Sequence, residues 1–205
     1  MMIIAIAGGS GSGKSTLAVA LCRKYPNTYA LLHIDDYFDM KENVPKLGEL
    51  INWDDPRAVR FDDIYRDLLA LKNDTPVTIR TKGELYNPGY ISALKNKIEY
   101  TVFPKSRVIL EGYLALHDER IRALMDFAIY LDMPIAASTK RRSENKFNLD
   151  PIYAERVLIP MHAKNVEPTR AYADLVIDVS EKTKEDIFHM AESSLFVALP
   201  HPIHN

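Results

Sequence analysis

One cysteine in 205 residues, Cys22, leaves no intrachain disulfide to be made and fits a reducing compartment. No stretch approaches the roughly 20 apolar residues of a membrane span, and Met1–Ala7 is too short for the apolar core of a signal peptide. A formal net charge of −2 gives no basic field, which argues against nucleic acid or an anionic membrane as partner. The chain therefore predicts a soluble, cytoplasmic protein. Six histidines are present, but none forms a three-ligand cluster: His201-x-x-His204 has the spacing and no third donor. Internal repeats and low-complexity segments are missing as well. Two nucleotide-site signatures are also absent: no Asp-x-x-Gly occurs, and Asn145-Lys146-Phe147-Asn148 fails Asn-Lys-x-Asp at its last position. These absences exclude a GTPase of the usual kind, and the lack of an L-S-G-G-Q-like run argues against a transporter-type ATPase.

What is present is concentrated at the start, MMIIAIAGGSGSGKST. The apolar run Ile3–Ala7 predicts a buried strand, and Leu17 onward predicts a helix. Between them Gly8, Gly9, Ser10, Gly11, Ser12, Gly13, Lys14, Ser15 and Thr16 satisfy G-x-x-x-x-G-K-[ST] in the strand–loop–helix setting that this motif requires. Glycines let backbone N–H groups turn inward around phosphate oxygens, and the helix N-terminus favours negative charge. Lys14 supplies a flexible point charge for the outer phosphates, and the Ser15 hydroxyl is suited to Mg²⁺. The loop predicts binding of a nucleoside triphosphate.

Further strands are expected at Tyr29–Ile34, Pro76–Ile79, Ile98–Phe103, Arg107–Leu110, Phe127–Asp132 and Asp174–Val179. Helices are expected over Ser15–Lys24, from Asp55-Pro56 to Lys72, over Asp118–Met125, from Pro134 through Lys140-Arg141-Arg142, over Ile152–His162 and over Lys182–Leu195. Strands that are apolar along their whole length, alternating with helices, predict an α/β fold. The expected form is a P-loop NTPase with a doubly wound, mostly parallel sheet, helices on both faces and a small lid. A single domain over 1–205 is expected, with 81–104 as a candidate acceptor-site insertion and 138–160 as the lid.

Ligands of such a sheet bind beyond the carboxyl ends of its strands. Asp35 follows one strand and is the candidate general base, although its neighbour Asp36 is barely separated from it by spacing. Glu111 follows another, where an acid near Mg²⁺ would sit. Lys140-Arg141-Arg142 suits a lid over the triphosphate, and a solvated basic face is the plain alternative. Asp54 lies beside the helix-start pair Asp55-Pro56 and is ambiguous alone; Trp53 beside it is as suited to the core as to stacking.

Taken together, GGSGSGKST, HIDDYF, NWDDPRA, RVILEGYLAL, YLDMPIAASTKRRS and VEPTRAYADLVID resemble the uridine kinase family of the phosphoribulokinase and uridine kinase superfamily. The matching segments span residue 2 to about 179. The resemblance implies ATP-dependent phosphorylation of the 5′-hydroxyl of a ribonucleoside, with Mg²⁺. It implies Asp35 as general base, Asp54 as the carboxylate on the ribose hydroxyls, Glu111 with Ser15 at the metal, and Arg142 as a substrate- and phosphate-proximal arginine. The partner is then a small hydroxylated molecule, and a homo-oligomer is compatible with the sequence. The chain also departs from the family. Its lid is shorter, Ser138 and Asn145 stand where arginines are common, and Phe38 replaces the tyrosine of Q-D-S-F-Y. Ile79-Arg80-Thr81-Lys82-Gly83-Glu84 replaces the I-P-x-Y-D-F segment of the base pocket. Asp35-Asp36-Tyr37-Phe38 also resembles Q-D-D-F-F of nicotinamide riboside kinases, so another hydroxylated metabolite, such as nicotinamide riboside or pantothenate, is the alternative acceptor. A non-catalytic nucleotide-binding protein is disfavoured because Lys14, Asp35 and Glu111 are all retained.

Overall fold

The computed structural model describes residues 1–91, 93–144 and 150–199, with the backbone alone for 140–144. In chain order, β1 (Met2–Gly8) leads into α1 (Lys14–Lys24) and β2 (Tyr29–His33), which ends in a 3₁₀ turn, Ile34–Asp36. A small hairpin of β3 (Lys46–Leu47) and β4 (Leu50–Ile51) precedes a second 3₁₀ turn, Pro56–Ala58, and α2 (Phe61–Lys72). Then come β5 (Val77–Thr81), β6 (Ile98–Val102), β7 (Arg107–Glu111), α3 (Glu119–Arg122), β8 (Phe127–Asp132) and α4 (Ile135–Glu144). A helical run broken by wide turns contains α5 (Pro151–Tyr153) and α6 (Ile159–Met161) and continues to Tyr172. β9 (Leu175–Asp178) and α7 (Lys184–Ala198) close the order.

The central sheet has the order β2-β7-β1-β8-β9 and is parallel throughout. The inner residues of β1, β2, β7 and β8 are apolar without a break because both faces are covered. Ile3, Ala5 and Ala7 of β1 point into the core under α2, while Ile4 and Ile6 point into the core under α1 and α7. Val108 and Leu110 of β7 divide from Ile109 in the same way. Burial of this kind contributes roughly 1.5–3 kcal/mol per large apolar side chain, which is why these runs hold their register. The strand order reverses beside β1, so the loop after β1 opens at the crevice where a parallel sheet binds its ligands.

β5 and β6 form a separate antiparallel pair from Val77↔Val102 to Thr81↔Ile98. The alternating burial of β5 fits a strand with one wet face. The segment after β5 returns to the main sheet at its edge, where the Tyr86 hydroxyl accepts the Leu31 N–H of β2 at 2.9 Å.

The start of α2 differs most from the sequence expectation. Asp55 does cap a turn, accepting the Arg57 N–H at 2.9 Å with Pro56 at the first position. That turn stops at Ala58. Val59 is extended and bridges Phe38, and α2 begins only at Phe61. The bridge takes the backbone at Val59 that a continuous helix would need. Cys22 is buried in the core as expected, and burial pushes its thiol up to about 12, against a weaker opposing pull from Lys105. Among the described residues no helix is long and apolar enough to cross a membrane. His201, His204 and Asn145–Asn148 lie outside the described residues.

Candidate active site

The loop between β1 and α1 is built on close approach. A Cβ on Gly8, whose φ is +136°, would lie 2.3 Å from the Leu131 carbonyl oxygen of β8. Gly13 begins α1 in the left-handed region at φ +97°, and it leads directly to Lys14 at the first helical position. The Lys14 ammonium is folded into the loop and donates to the Gly9 carbonyl at 2.7 Å. Ser12 is buried beneath the loop, while Ser15 and Thr16 are exposed at the helix start. Two later elements touch the loop's rim. Ser138 of α4 donates its hydroxyl to the Ser10 carbonyl, and the His162 ring lies against Gly9, where a Cβ would meet Cε1 at 3.0 Å.

Register places the next group. Glu111 pairs with Ile6 of β1 on one side and His33 of β2 on the other. Ser15 Oγ donates to Glu111 Oε1 at 3.0 Å, and His33 Nδ1 lies 2.5 Å from the same oxygen. A hydroxyl and a carboxylate, both hard oxygen donors at the phosphate loop, fit Mg²⁺. Glu111 is 4% exposed, so a cation there would be poorly screened by water.

After β2, the 3₁₀ turn sends the two aspartates apart. The Asp35 side chain is 46% exposed and pairs with Lys82 Nζ at 3.1 Å. Burial of the site opposes its charge, but Lys82, His33 and Lys14 outweigh it and hold the carboxyl below the usual range. Asp36 is 7% exposed, and its Oδ1 accepts the Lys82 N–H at 3.1 Å. Burial raises its carboxyl above the usual range despite hydrogen bonds from Thr81 and Lys82. Asp54 is also buried and accepts the Tyr153 hydroxyl at 2.6 Å. The same hydroxyl accepts the Trp53 N–H at 3.1 Å, and Tyr113 donates to the Trp53 carbonyl at 2.7 Å. Trp53 itself packs edge-on against Phe38. Asp54 shares a small cavity with Ser10, Tyr113, Met161 and His162, which brings it to the rim of the phosphate loop. Burial holds the His162 imidazole below its usual range, with Lys14 adding to the effect against the pull of Glu167.

Thus Lys14, Ser15, Asp35, Asp54 and Glu111, named from sequence, converge on one end of the sheet. The backbone of Arg142 lies in α4; its side chain is outside the described set. Among the residues of the site that were not anticipated are His33, Lys82, Tyr153 and His162. For His33 a signal existed, a polar residue closing an otherwise apolar buried strand, YALLH.

Comparison with known proteins then decides the lineage. The model of the phosphoribulokinase / uridine kinase family matches residues 3–185. The chain belongs to that family. A uridine kinase of Brevibacillus brevis is 34% identical over 187 residues, 86% of this chain and 84% of that protein. A uridine kinase of Bacillus subtilis is 32% identical over 187 residues, with 86% and 85% covered. Among solved structures, a possible uridine kinase from Bacillus stearothermophilus superposes with a TM-score of 0.57 at 21% identity, covering 86% of this chain and 88% of its own. The phosphoribulokinase of Rhodobacter spheroides gives 0.62 at 12% identity, covering 88% and 72%. These two structures share the α/β fold. As a member of the family, this protein is a small-molecule kinase.

Proposed function

We propose that this kinase transfers the γ-phosphoryl group of ATP to the 5′-hydroxyl of a ribonucleoside, of the uridine or cytidine type. The observation that carries the reading is the placement of two carboxylates around one phosphate loop. Asp35 lies within reach of the Lys14 charge, and Asp54 shares a cavity with Ser10. The names of the relatives, uridine kinases over more than four fifths of the chain, support the same acceptor class.

The division of labour follows from the chemistry. Backbone N–H groups of Gly9–Lys14 hold phosphate oxygens, and Lys14 leaves the Gly9 carbonyl to follow the charge that develops on the transferred group. Ser15 and Glu111 would hold Mg²⁺, which would neutralise phosphate charge and orient the outer phosphates. Asp35 accepts the proton of the acceptor hydroxyl as the bond to phosphorus forms. Its lowered pKa keeps it ionised, and therefore competent, at neutral pH. Asp54 binds the adjacent 2′- and 3′-hydroxyls through its two oxygens, with Tyr153 fixing the carboxylate's orientation.

An ADP-release assay over a panel of ribonucleosides, nicotinamide riboside and pantothenate tests this, with the product's phosphate position read by ³¹P and ¹H NMR. A 5′-monophosphate of a pyrimidine ribonucleoside as the best product is expected. Preferred turnover of an acceptor without a ribose would overturn the reading.

A further inference from the structure

His33 is a buried titratable group that the transfer chemistry above does not use. It closes β2, where the register with β7 sets it beside Glu111. The two side chains are 7% and 6% exposed. A carboxylate only accepts, so the Nδ1 facing Glu111 Oε1 at 2.5 Å carries the hydrogen. The opposite edge of the ring is packed against the turn that follows β5. A Cβ on Gly83 would lie 2.5 Å from both Cδ2 and Nε2, and Nε2 has no hydrogen-bond partner among the described residues. The imidazole is thus wedged between the acceptor segment and the metal-side carboxylate. Ser15 reaches the same Oε1. A Ser15 hydroxyl that turns toward a cation gives up that bond, and His33 is then the anchor Glu111 keeps.

We propose that His33 is a positioning residue for Mg²⁺: it clamps Glu111 in the orientation that serves the ion, and Gly83 is the seat that holds the imidazole against it. The proposal rests on the reading of Ser15 and Glu111 as the metal side of the site. Outer hydrogen-bond partners of this kind typically govern metal affinity by roughly 10–100-fold. Gly83 lies in the segment that carries Lys82, the partner of Asp35. The same wedge therefore makes the acceptor segment a support of the metal side.

The test is ADP affinity by calorimetry, measured once with Mg²⁺ and once with EDTA, in wild type, His33→Leu, His33→Asn and Gly83→Ala. Wild type is expected to bind more tightly with Mg²⁺. His33→Leu should lose about tenfold or more of that Mg²⁺-dependent gain while its EDTA affinity stays at the wild-type value. His33→Asn, whose amide can donate to Glu111, should keep most of it. Gly83→Ala leaves every hydrogen-bonding group in place and should weaken the gain in the same direction; it serves as the test if His33→Leu does not fold. A His33→Leu protein that keeps the wild-type ratio, or loses affinity equally in Mg²⁺ and EDTA, overturns the proposal, as does an Asn variant no better than Leu. With Gly83→Ala as the test, an unchanged ratio overturns it. Wild-type affinity that ignores Mg²⁺ overturns the reading of the metal side itself, a result distinguishable from the others.

Discussion

Tyr153 donates its hydroxyl to Asp54 Oδ2 at 2.6 Å, joining the helical run after α4 to the loop that precedes α2. A buried carboxylate fixed in this way would bind the ribose proposed above at little further cost in ordering. The enzyme is expected to favour a riboside over its 2′-deoxy analogue by about tenfold or more in kcat/KM, because a missing hydroxyl leaves a desolvated oxygen unpaired. Asp54→Ala should lose most of that preference and most activity. Tyr153→Phe should weaken both by a smaller factor. Equal wild-type kcat/KM for the two analogues would reduce Asp54 to a structural residue of the loop before α2.

Asp35 and Asp36 are neighbours with opposite environments, and their amide variants should diverge. Asp35→Asn is expected to lower kcat by orders of magnitude while ADP still binds, since the amide cannot take the hydroxyl proton. Asp36 is held above the usual carboxylate range by burial, so its ionised form costs stability at neutral pH. Asp36→Asn keeps an oxygen for the Lys82 N–H and should leave the melting temperature equal or higher, with a mild effect on kcat. Steady-state kinetics and a thermal melt check both; the reverse order of kcat values would reassign the base.

Lys82 is expected to set the acid limb of the pH profile. As the proposed base, Asp35 would work only when ionised; its folded-state pKa is lowered, with Lys82 the strongest of the charges that oppose burial. Wild-type kcat/KM should therefore hold at neutral pH and fall only below the ordinary carboxylate range. In Lys82→Met the pKa rises, so the acid limb should move to higher pH. A profile that does not move would show that the 3.1 Å ion pair does not control the base.

Tyr86 caps the middle of the edge strand β2, at Leu31. Tyr86→Phe removes the acceptor of the Leu31 N–H and leaves a part-buried donor without its partner, which costs about 1–3 kcal/mol. A chemical denaturation midpoint lower than wild type, with the denaturant slope unchanged, is expected.

Much of this was legible because the signals were local. The phosphate loop is contiguous, and the strands of β1, β2, β7 and β8 declare themselves by being apolar on both faces. The α2 boundary misled because Asp55-Pro56 carries a helix-start signature that builds only one turn before Val59 turns to Phe38. Asp35 and Asp36 could not be separated by spacing, since what distinguishes them is the twist of a 3₁₀ turn and a lysine 46 residues beyond Asp36. Tyr153 left no trace in sequence. It finds Asp54 across 99 residues, and a lone tyrosine after Asp150-Pro151 carries no sign of such a partner.

Ser138 and His162 both rest on the rim of the phosphate loop, at Ser10 and Gly9. The chain between them therefore leaves and returns to nearly the same place. Its length is set by neither contact, so residues added or removed there need not move the loop that holds the phosphates. A segment tied down at two posts in this way can be lengthened or shortened by design without disturbing the grip on the phosphates, and such grafts can be screened for a change in acceptor preference.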